Sequence, residues 1–295
     1  MDTHGLVVVD KSAGMTSHDV VARLRRIYGQ RGVGHAGTLD PDATGVLLVG
    51  LGRATRLLRF LQETTKAYSG TVVFGATTDT LDAAGTIIAT FDMSDLTVDR
   101  VRVAAEQFVG EIDQVPPMVS AIKIDGRRLH ELAREGKQVE RPPRRVRIDR
   151  FEVTALRPGK RPEADVEVEC SSGTYIRSLA ADLGAAVGGG SHLTNLRRTR
   201  VGAFTIGEAT RLDELEARSL ECVLPPIVAL RAMERVDVDD AIATKVGHGN
   251  TFAAREFLRS DSGPGPFAVA HHDQLIAVYE RRGAGVKPIV VVPSS

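Results

Sequence analysis

The chain has 295 residues, a length that corresponds to about two domains of ~150 residues each. Its apolar content of 42% excludes a disordered chain, a collagen-like repeat and a coiled coil. No stretch approaches the ~18 uninterrupted apolar residues of a membrane-spanning helix. Lys plus Arg and Asp plus Glu each total 38, so the net charge is zero, and this total by itself argues against a nucleic-acid partner.

The N-terminal residues and the cysteines bear on the compartment. The first residues lack the basic and apolar regions of a signal peptide. Cys170 and Cys222 form neither a zinc-binding pattern nor a disulfide framework. We therefore expect a reducing compartment, most simply the cytoplasm.

The first half of the chain combines short apolar strands with amphipathic helices. Gly5–Asp10 predicts a buried strand, and Thr16 or Ser17 begins a helix with apolar residues at helical spacing up to Gly29. The segment 32–45 is rich in turn residues and predicts a loop. The other elements expected here are an apolar run at 46–49, a helix at 54–61, a strand at 68–74 and a helix at 97–109.

The second half is richer in strands. Strands are predicted at 119–124, at 146–153 with a bulge, and at 166–170, and a helix is predicted at 175–187. After a boundary near 224–233, a helix at 239–246 precedes strands at 267–270, 275–279 and 289–292. Because strands outnumber helices without regular alternation, we predict an α+β fold with a mixed, largely antiparallel sheet.

The zero net charge hides a segregation of charges along the chain. Segments 23–31, 123–150 and 193–200 carry net charges of +4, +5 and +3. Segments 76–113 and 208–240 carry −6 and −5. Separated basic clusters can form a local face for a polyanion whatever the total, although a solvated surface is the simpler interpretation of any one cluster.

Several common functional signatures are missing from the sequence. It contains no P-loop, no His-Glu-x-x-His and no Gly-x-Ser-x-Gly pattern. His271 and His272 are adjacent, so in a strand their side chains would face opposite ways and would not bind one ion. The sequence thus disfavours metal and nucleotide enzymes.

The densest group of chemically informative residues is Gly34–Gly45, a loop with glycines that allow close approach of a ligand to the backbone. Asp40 stands near its centre. It is a candidate functional carboxylate, but it could equally cap a helical turn with Pro41 in the first position.

A second informative segment is Ser171–Leu179. Thr174 can cap a helix there, which places Arg177 in the first turn, where a positive charge opposes the helix dipole. A nearby carboxylate such as Asp40 would stabilise that charge, and an ordinary surface arginine is the alternative. Tyr68 and Tyr175 are two of only four tyrosines, each suited either to the core or to stacking on a base.

The loop around Asp40 resembles the catalytic motif of the TruB family of pseudouridine synthases. Five further segments match the family's motifs in the same order along the chain. They are Asp10–Ser17, Lys66–Tyr68, Gln114–Ala121, Gly173–Arg177 and His192–Arg198. Two positions depart from the family pattern, because Ser12 stands where proline is usual and Ala36 where threonine is frequent.

The resemblance implies an architecture and an activity. It implies a catalytic domain over residues 1–230 with an RNA-clamping insertion at about 120–148, and a small PUA-like β-barrel over 231–295. Members of the family isomerise uridine 55 in the T-arm loop of tRNA. No group enters or leaves in this reaction, so neither a cofactor nor a metal is expected.

The resemblance also assigns roles to single residues. Asp40 is the catalytic carboxylate, Arg177 its ion-pair partner, and Tyr68 stacks on the extruded base and is a candidate for proton transfer. The expected pocket positions are His35, Tyr175 and Leu196, and Lys11 is expected to support the pocket or to contact a phosphate. The arginines expected to contact RNA phosphates are Arg144, Arg145, Arg147 and Arg198, with Arg23 and Arg26 as extensions of the same face.

Two other functions fit part of the sequence. A noncatalytic RNA-binding or tRNA-folding factor would account for the basic segments without using Asp40. An rRNA-modifying enzyme guided by a separate RNA would resemble the archaeal and eukaryotic relatives of the family. We expect a monomer, because the tRNA substrate is large and asymmetric. The intact Lys66–Tyr68 motif and the insertion favour action without a guide.

Overall fold

The structure is a computed structural model that describes residues 2–120, 123–124, 127–128, 135 and 139–292. The strands in chain order are β1 Gly5–Lys11, β2 Val33–Ala36, β3 Thr44–Leu51, β4 Lys66–Phe74, β5 Ala76–Thr78, β6 Ile87–Thr90, β7 Gly110–Gln114, β8 Lys123–Ile124, β9 Arg127–Arg128, β10 Arg144–Arg157, β11 Glu163–Cys170, β12 Ser191–Val201, β13 Phe204–Thr205, β14 Thr210–Arg211, β15 Glu234–Asp237, β16 Phe252–Ala253, β17 Phe267–His271, β18 Gln274–Arg282 and β19 Gly285–Val291.

The helices within this part of the chain are short. They are α1 Ser17–Ile27, α2 Leu58–Gln62, α3 Val98–Glu106, α4 Ile176–Ala186, α5 Leu212–Ala217, α6 Pro226–Ala229, α7 Asp240–Gly247 and α8 Ala254–Phe257, with 3-10 turns at Gly52–Leu57 and Ile206–Glu208. Among the described residues, no helix has the length and apolar character needed to cross a membrane.

The chain divides into two compact units. The first comprises residues 1–41, 45–63 and 201–295, and the second comprises 42–44 and 64–200. The predicted domain boundary near residue 230 does not coincide with the limits of these two units, and it stays a prediction.

In the first unit, β1 lies between β3 and β14. It runs antiparallel to β3 along its whole length and parallel to β14, while β2 pairs antiparallel with β3. Val7 and Val9 face a core with helix α1, whereas Leu6 and Val8 face a second core. Burial on both faces explains why β1 is a continuous apolar run and not an alternating one.

The second core of this unit also includes residues of the C-terminal sheet, such as Ala268 and Val278. That sheet has five strands in the order β15–β17–β18–β19–β16, and only β15 and β17 run parallel. On its other side the rings of Phe257, Phe252 and Tyr279 are in mutual contact. The Phe257 centroid is 4.9 Å from that of Phe252 and 5.0 Å from that of Tyr279, and the latter two are 6.0 Å apart. This is the segment expected to form the PUA-like barrel.

The second unit contains strands in the order β12–β4–β11–β10–β7. β4, β11, β10 and β7 are antiparallel, and the expected bulge in β10 appears as register shifts near Ile148 and Val153. Helix α3, capped by the Thr97 side chain, packs on β10. The prediction of an α+β fold with mixed, largely antiparallel pairing is confirmed.

Several elements differ from the sequence-based expectations. Strand β2 lies inside the segment predicted as a loop, and β12 was not predicted as a strand. The helix predicted at 54–61 is a 3-10 turn followed by the five-residue α2. The strand predicted at 119–124 and the insertion at 120–148 lie partly outside the described residues.

The expectation that the side chains of His271 and His272 face opposite ways is wrong. His271 ends β17, but His272 and Asp273 form the turn to β18 with φ of 46° and 61°. Because positive φ takes His272 out of the strand geometry, the two rings lie side by side with centroids 4.0 Å apart.

Candidate active site

Asp40 lies in the first unit, in the loop that joins β2 to β3. The residue is half-buried, and Pro41 and Asp42 after it form a bend and not a helical turn. The capping interpretation of Asp40 is therefore excluded. Gly37 adopts φ of 82° and Gly45 of 100°, so both ends of the loop use backbone conformations that favour glycine.

The Asp10–Ser17 segment holds this loop on both sides of Asp40. Before Asp40, the backbone N–H of Leu39 donates to the Ser17 hydroxyl at 2.9 Å. After it, the Pro41 carbonyl accepts from Lys11 Nζ at 2.8 Å and from the Gly14 N–H at 3.0 Å. The backbone on either side of Asp40 is thus anchored by residues of a separate motif, which orients the carboxylate.

Lys11 is completely buried, and its ammonium also donates to the Ser12 carbonyl at 2.9 Å. A fully buried side chain does not present its charge to an RNA phosphate. We therefore interpret Lys11 as a residue that positions the Asp40 loop. Ser12, which departs from the family pattern, contributes through its carbonyl group.

His35 lies on β2 and is half-buried. Its ring meets the ring of His18 from α1 edge to face, with centroids 5.4 Å apart and planes at 84°. His18 was not singled out from the sequence, because its position depends on how α1 packs beside β2.

Tyr68 and Lys66 belong to the second unit and lie on the same face of β4, since residues two apart in a strand share a face. Tyr68 is 8% exposed and stands opposite Val168 of β11. Lys66 is buried, stands opposite Cys170, and donates to the Thr64 carbonyl at 2.9 Å. Burial, reinforced by the charge of Arg198, lowers the pKa of Lys66 to about 8.

This lowered pKa gives a test of stability against pH. Between pH 8 and 9 the unfolded chain keeps a proton on Lys66 that the folded protein loses, so the free energy of unfolding should rise with pH, by about 1 kcal/mol. The Lys66→Met variant should lack this rise in urea denaturation. Burial raises the pKa of the Cys170 thiol from 9.0 to about 11, so this thiol opposes the trend in both proteins, weakly between pH 8 and 9 and more strongly above pH 9. Equal slopes for both proteins would contradict the assignment.

Arg177 is in the first turn of α4, as expected, but Thr174 does not cap this helix. Tyr175 is the cap residue, and its backbone N–H and carbonyl are held by the side-chain amide of Gln114 at 2.7 and 3.1 Å. The Thr174 hydroxyl donates instead to the Ser171 carbonyl. Gln114 belongs to the Gln114–Ala121 motif, but no local signal in the sequence indicates that it anchors the start of α4.

The Arg177 side chain is only 6% exposed. Its guanidinium lies 3.4 Å from the Asp82 carboxylate and donates to the carbonyls of Thr80 at 3.0 Å and Val119 at 2.9 Å. Asp82 itself accepts from the Thr80 hydroxyl and the Ala84 N–H. Sequence reasoning missed Asp82, which appeared only as one charge of an acidic segment. The predicted pairing of Arg177 with Asp40 stays a prediction.

Two other predicted site residues follow in the second unit. Tyr175 and Leu196 are half-buried, and Leu196 on β12 follows Asn195, whose φ is 53°. Arg198, two residues further on, is 1% exposed. The prediction that Arg198 contacts RNA phosphates is therefore corrected, because its side chain is inside the protein, near Lys66.

The basic segment of β10 is exposed to solvent. Arg145 and Arg147 lie on one face of the strand. Arg144 is two residues before buried Val146 and therefore belongs to the opposite face. Arg145 pairs with Glu111 at 3.0 Å, and Arg147 pairs with Asp149 at 2.7 Å. Such exposed pairs contribute little to stability, so a phosphate can compete for these arginines.

Arg23 and Arg26 belong to α1 of the first unit. Together with Met15, Asp19 and Glu216 they line an open groove beside this helix, and Arg23 pairs with Glu216 at 2.9 Å. Of the predicted site residues, Lys11, His35 and Asp40 lie in the first unit. The residues of the second unit are Tyr68, Arg144, Arg145, Arg147, Tyr175, Arg177, Leu196 and Arg198.

Comparisons with known proteins agree with these motifs. The family model described as TruB family pseudouridylate synthase (N terminal domain) matches residues 25–176, and that of the tRNA pseudouridylate synthase B C-terminal domain matches 177–228. The chain is 49% identical to tRNA pseudouridine synthase B of Mycolicibacterium paratuberculosis, covering 99% of this chain and 98% of that protein. It is 46% identical to the protein of the same name from Rhodococcus jostii, covering 98% and 93%.

Solved structures support the fold. A crystal structure of a Cbf5–Nop10–Gar1 complex contains a chain that matches with a TM-score of 0.77 and 26% identity, covering 98% of this chain and 85% of that one. A chain of an H/ACA ribonucleoprotein bound to a substrate RNA matches with a TM-score of 0.75 at 24% identity, covering 97% and 84%. The chain belongs to the TruB family of pseudouridine synthases.

Proposed function

We propose that this chain converts uridine 55 in the T-arm loop of tRNA to pseudouridine. The observation that carries the proposal is Asp40, whose loop is held on both sides by the Asp10–Ser17 segment. Full-length relatives named tRNA pseudouridine synthase B support tRNA as the substrate.

The reaction breaks the N1–C1′ bond of uridine, turns the base, and joins C1′ to C5. The C5 proton is lost and N1 gains one, so the product is an isomer of the substrate. An ionised Asp40 could attack C1′ or C6, or remove a proton from C2′. All three routes need the carboxylate close to the N1–C1′ bond of the target nucleoside, which is why the positioning of its loop matters.

The target base must leave its stack before Asp40 reaches it. We propose that Tyr68 stacks on the extruded base, an interaction worth about 1–3 kcal/mol, and that its hydroxyl is available for proton transfer. His35 would fill the space that the uridine leaves. Tyr175 and Leu196 would complete the walls of the pocket, Leu196 as its apolar side.

Arg177 is proposed to hold the Asp40 carboxylate in its ionised form. A planar guanidinium can do so while it keeps its contacts with Asp82 and two carbonyl groups. In this proposal Asp82 is a positioning residue that acts through Arg177.

The exposed face of β10 is proposed to contact the RNA backbone. Affinity for RNA falls as salt rises, so the plot of log affinity against log salt has a negative slope. If Arg145 and Arg147 each neutralise one phosphate, replacing both with Ala should make this slope less steep by about 1.5. Binding titrations of a T-arm stem-loop at several salt concentrations would measure the slope. Arg218→Ala, at a paired and exposed arginine in the acidic segment 208–240, is the control and should leave it unchanged. An unchanged slope in the double variant would refute the contacts.

We also propose that residues 231–295 act as a PUA-like module that holds the end of the acceptor stem, within a monomer in the cytoplasm. Deletion would not test this cleanly, because the same core contains residues of both β1 and this sheet. Footprinting of the full protein on intact tRNA would test it. Protection limited to the T-arm would contradict the module's role.

The most direct experiment is incubation with an unmodified tRNA transcript, followed by mapping of pseudouridine. We expect modification at position 55 and also on an isolated T-arm stem-loop, without any added RNA. A transcript with cytidine at that position is the control. Modification only in the presence of a guide RNA would favour the rRNA-type alternative, and a lack of modification would favour a binding or folding factor.

A further inference from the structure

Three potential metal ligands meet at one end of the C-terminal sheet. They are the carboxylate of Asp240 and the imidazoles of His271 and His272, with ligand atoms all within 4.8 Å of one another. His271 Nε2 lies 2.7 Å from Asp240 Oδ1. This cluster belongs entirely to the first unit and includes no residue assigned to the uridine reaction.

The topology of the sheet brings these residues together. β15 and β17 run parallel, so their carboxyl ends lie at the same edge, and the Val238 N–H donates to the Ala270 carbonyl just beyond β15. The chain then enters α7 at Asp240, next to His271 at the end of β17.

The tight turn after β17 supplies the third ligand. His271 pairs with Gln274, which leaves only His272 and Asp273 to reverse the chain, both at positive φ. A two-residue turn of this kind holds the His272 ring beside that of His271. In a regular strand the same two rings would be on opposite faces.

The surrounding charges favour a cation. The segment 234–240 carries a net charge of −3, and Asp273 adds another acid. Arg235 lies 2.5 Å from Asp237 and 2.7 Å from Asp273. The Asp240 carboxylate contacts His271 instead. The partial positive charge at the N-terminus of α7 is offset by Asp239, whose carboxylate accepts a hydrogen bond from the Ile242 N–H.

We propose that Asp240, His271 and His272 bind one Zn²⁺ ion. Two imidazoles and one carboxylate are a donor set that zinc accepts, with bonds of about 2.0–2.2 Å and water in the remaining position. Tetrahedral ligands at those bond lengths are about 3.3–3.6 Å apart, a spacing that rotation of the Asp240 and His272 side chains can reach because both are exposed. The ion would fasten the β17–β18 turn to the start of α7.

Isothermal titration of the full-length protein with ZnCl2, in a buffer without chelator, tests the site. We expect one Zn²⁺ per chain, an increase in Tm on binding, and no displacement by excess Mg²⁺, which prefers oxygen ligands.

Two variants and a control separate this site from adventitious binding. Asp240→Asn and His272→Asn should each weaken zinc binding more than about tenfold, while their Tm without metal shows that they fold. His248→Asn replaces the exposed histidine at the other end of α7 and should bind zinc like the wild type. Equal binding by all four proteins, or none by the wild type, would overturn the proposal.

Discussion

Asp40→Asn is expected to reduce pseudouridine formation more than about a thousandfold in an unmodified tRNA transcript. The amide keeps the shape of the side chain but carries no negative charge, so it can serve neither as nucleophile nor as base. The hydrogen bonds that hold the loop use the backbone of Leu39 and Pro41 and do not need the carboxylate. We therefore expect an unchanged Tm and nearly unchanged affinity for the T-arm.

The matched control is Asp42→Asn, two residues further along the loop. Asp42 is exposed at the bend after Pro41, and its replacement removes the same charge from the same segment. We expect Asp42→Asn to retain most of the activity. If Asp40→Asn also remains active, Asp40 is not the catalytic carboxylate. A cellular role that survives in an inactive Asp40→Asn protein would belong to a separate RNA-binding or tRNA-folding function.

Sequence patterns predicted the elements that carry a signal in their own residues. The Thr16 side chain accepts from the Asp19 N–H and the Asp19 carboxylate from the Thr16 N–H, so α1 carries its own start signal. The apolar run of β1 likewise reflects burial on both faces. Strand β2 is different, because its four residues include a glycine and a histidine and are ordered by pairing with β3.

Sequence patterns were limited in the same way at the candidate active site, where they indicated single residues but not their distant partners. Motifs indicated Asp40, Tyr68 and Arg177, since each lies in a segment of distinctive composition. The partners that orient them are distant in the chain, as when Arg177 bonds to Thr80, 97 positions away. No periodic pattern of residues in the sequence predicts a contact between positions so far apart. The turn at His272 had a weak local signal, because histidine and aspartate tolerate positive φ better than most residues.

Arg177→Lys is expected to lower kcat by about a hundredfold or more while the Kd for the T-arm changes less than about twofold. The guanidinium reaches Asp82 and the carbonyls of Thr80 and Val119 from one rigid plane, and a single ammonium on a flexible stem cannot reproduce that arrangement. Arg102→Lys, at an exposed arginine of α3, is the control and should retain the wild-type rate.

Asp82→Asn tests the same arrangement from the other side. If Asp82 acts only by orienting Arg177, its replacement should lower kcat and leave KM largely unchanged. The double variant should then lose little more than Arg177→Lys alone, since two residues that act through one interaction are not additive. Additive losses in kcat, or a loss confined to KM, would mean that Asp82 contacts the RNA independently. A fall in Tm with a normal rate would limit the pair to a structural role, because the largely buried Arg177 would then lose its charged partner.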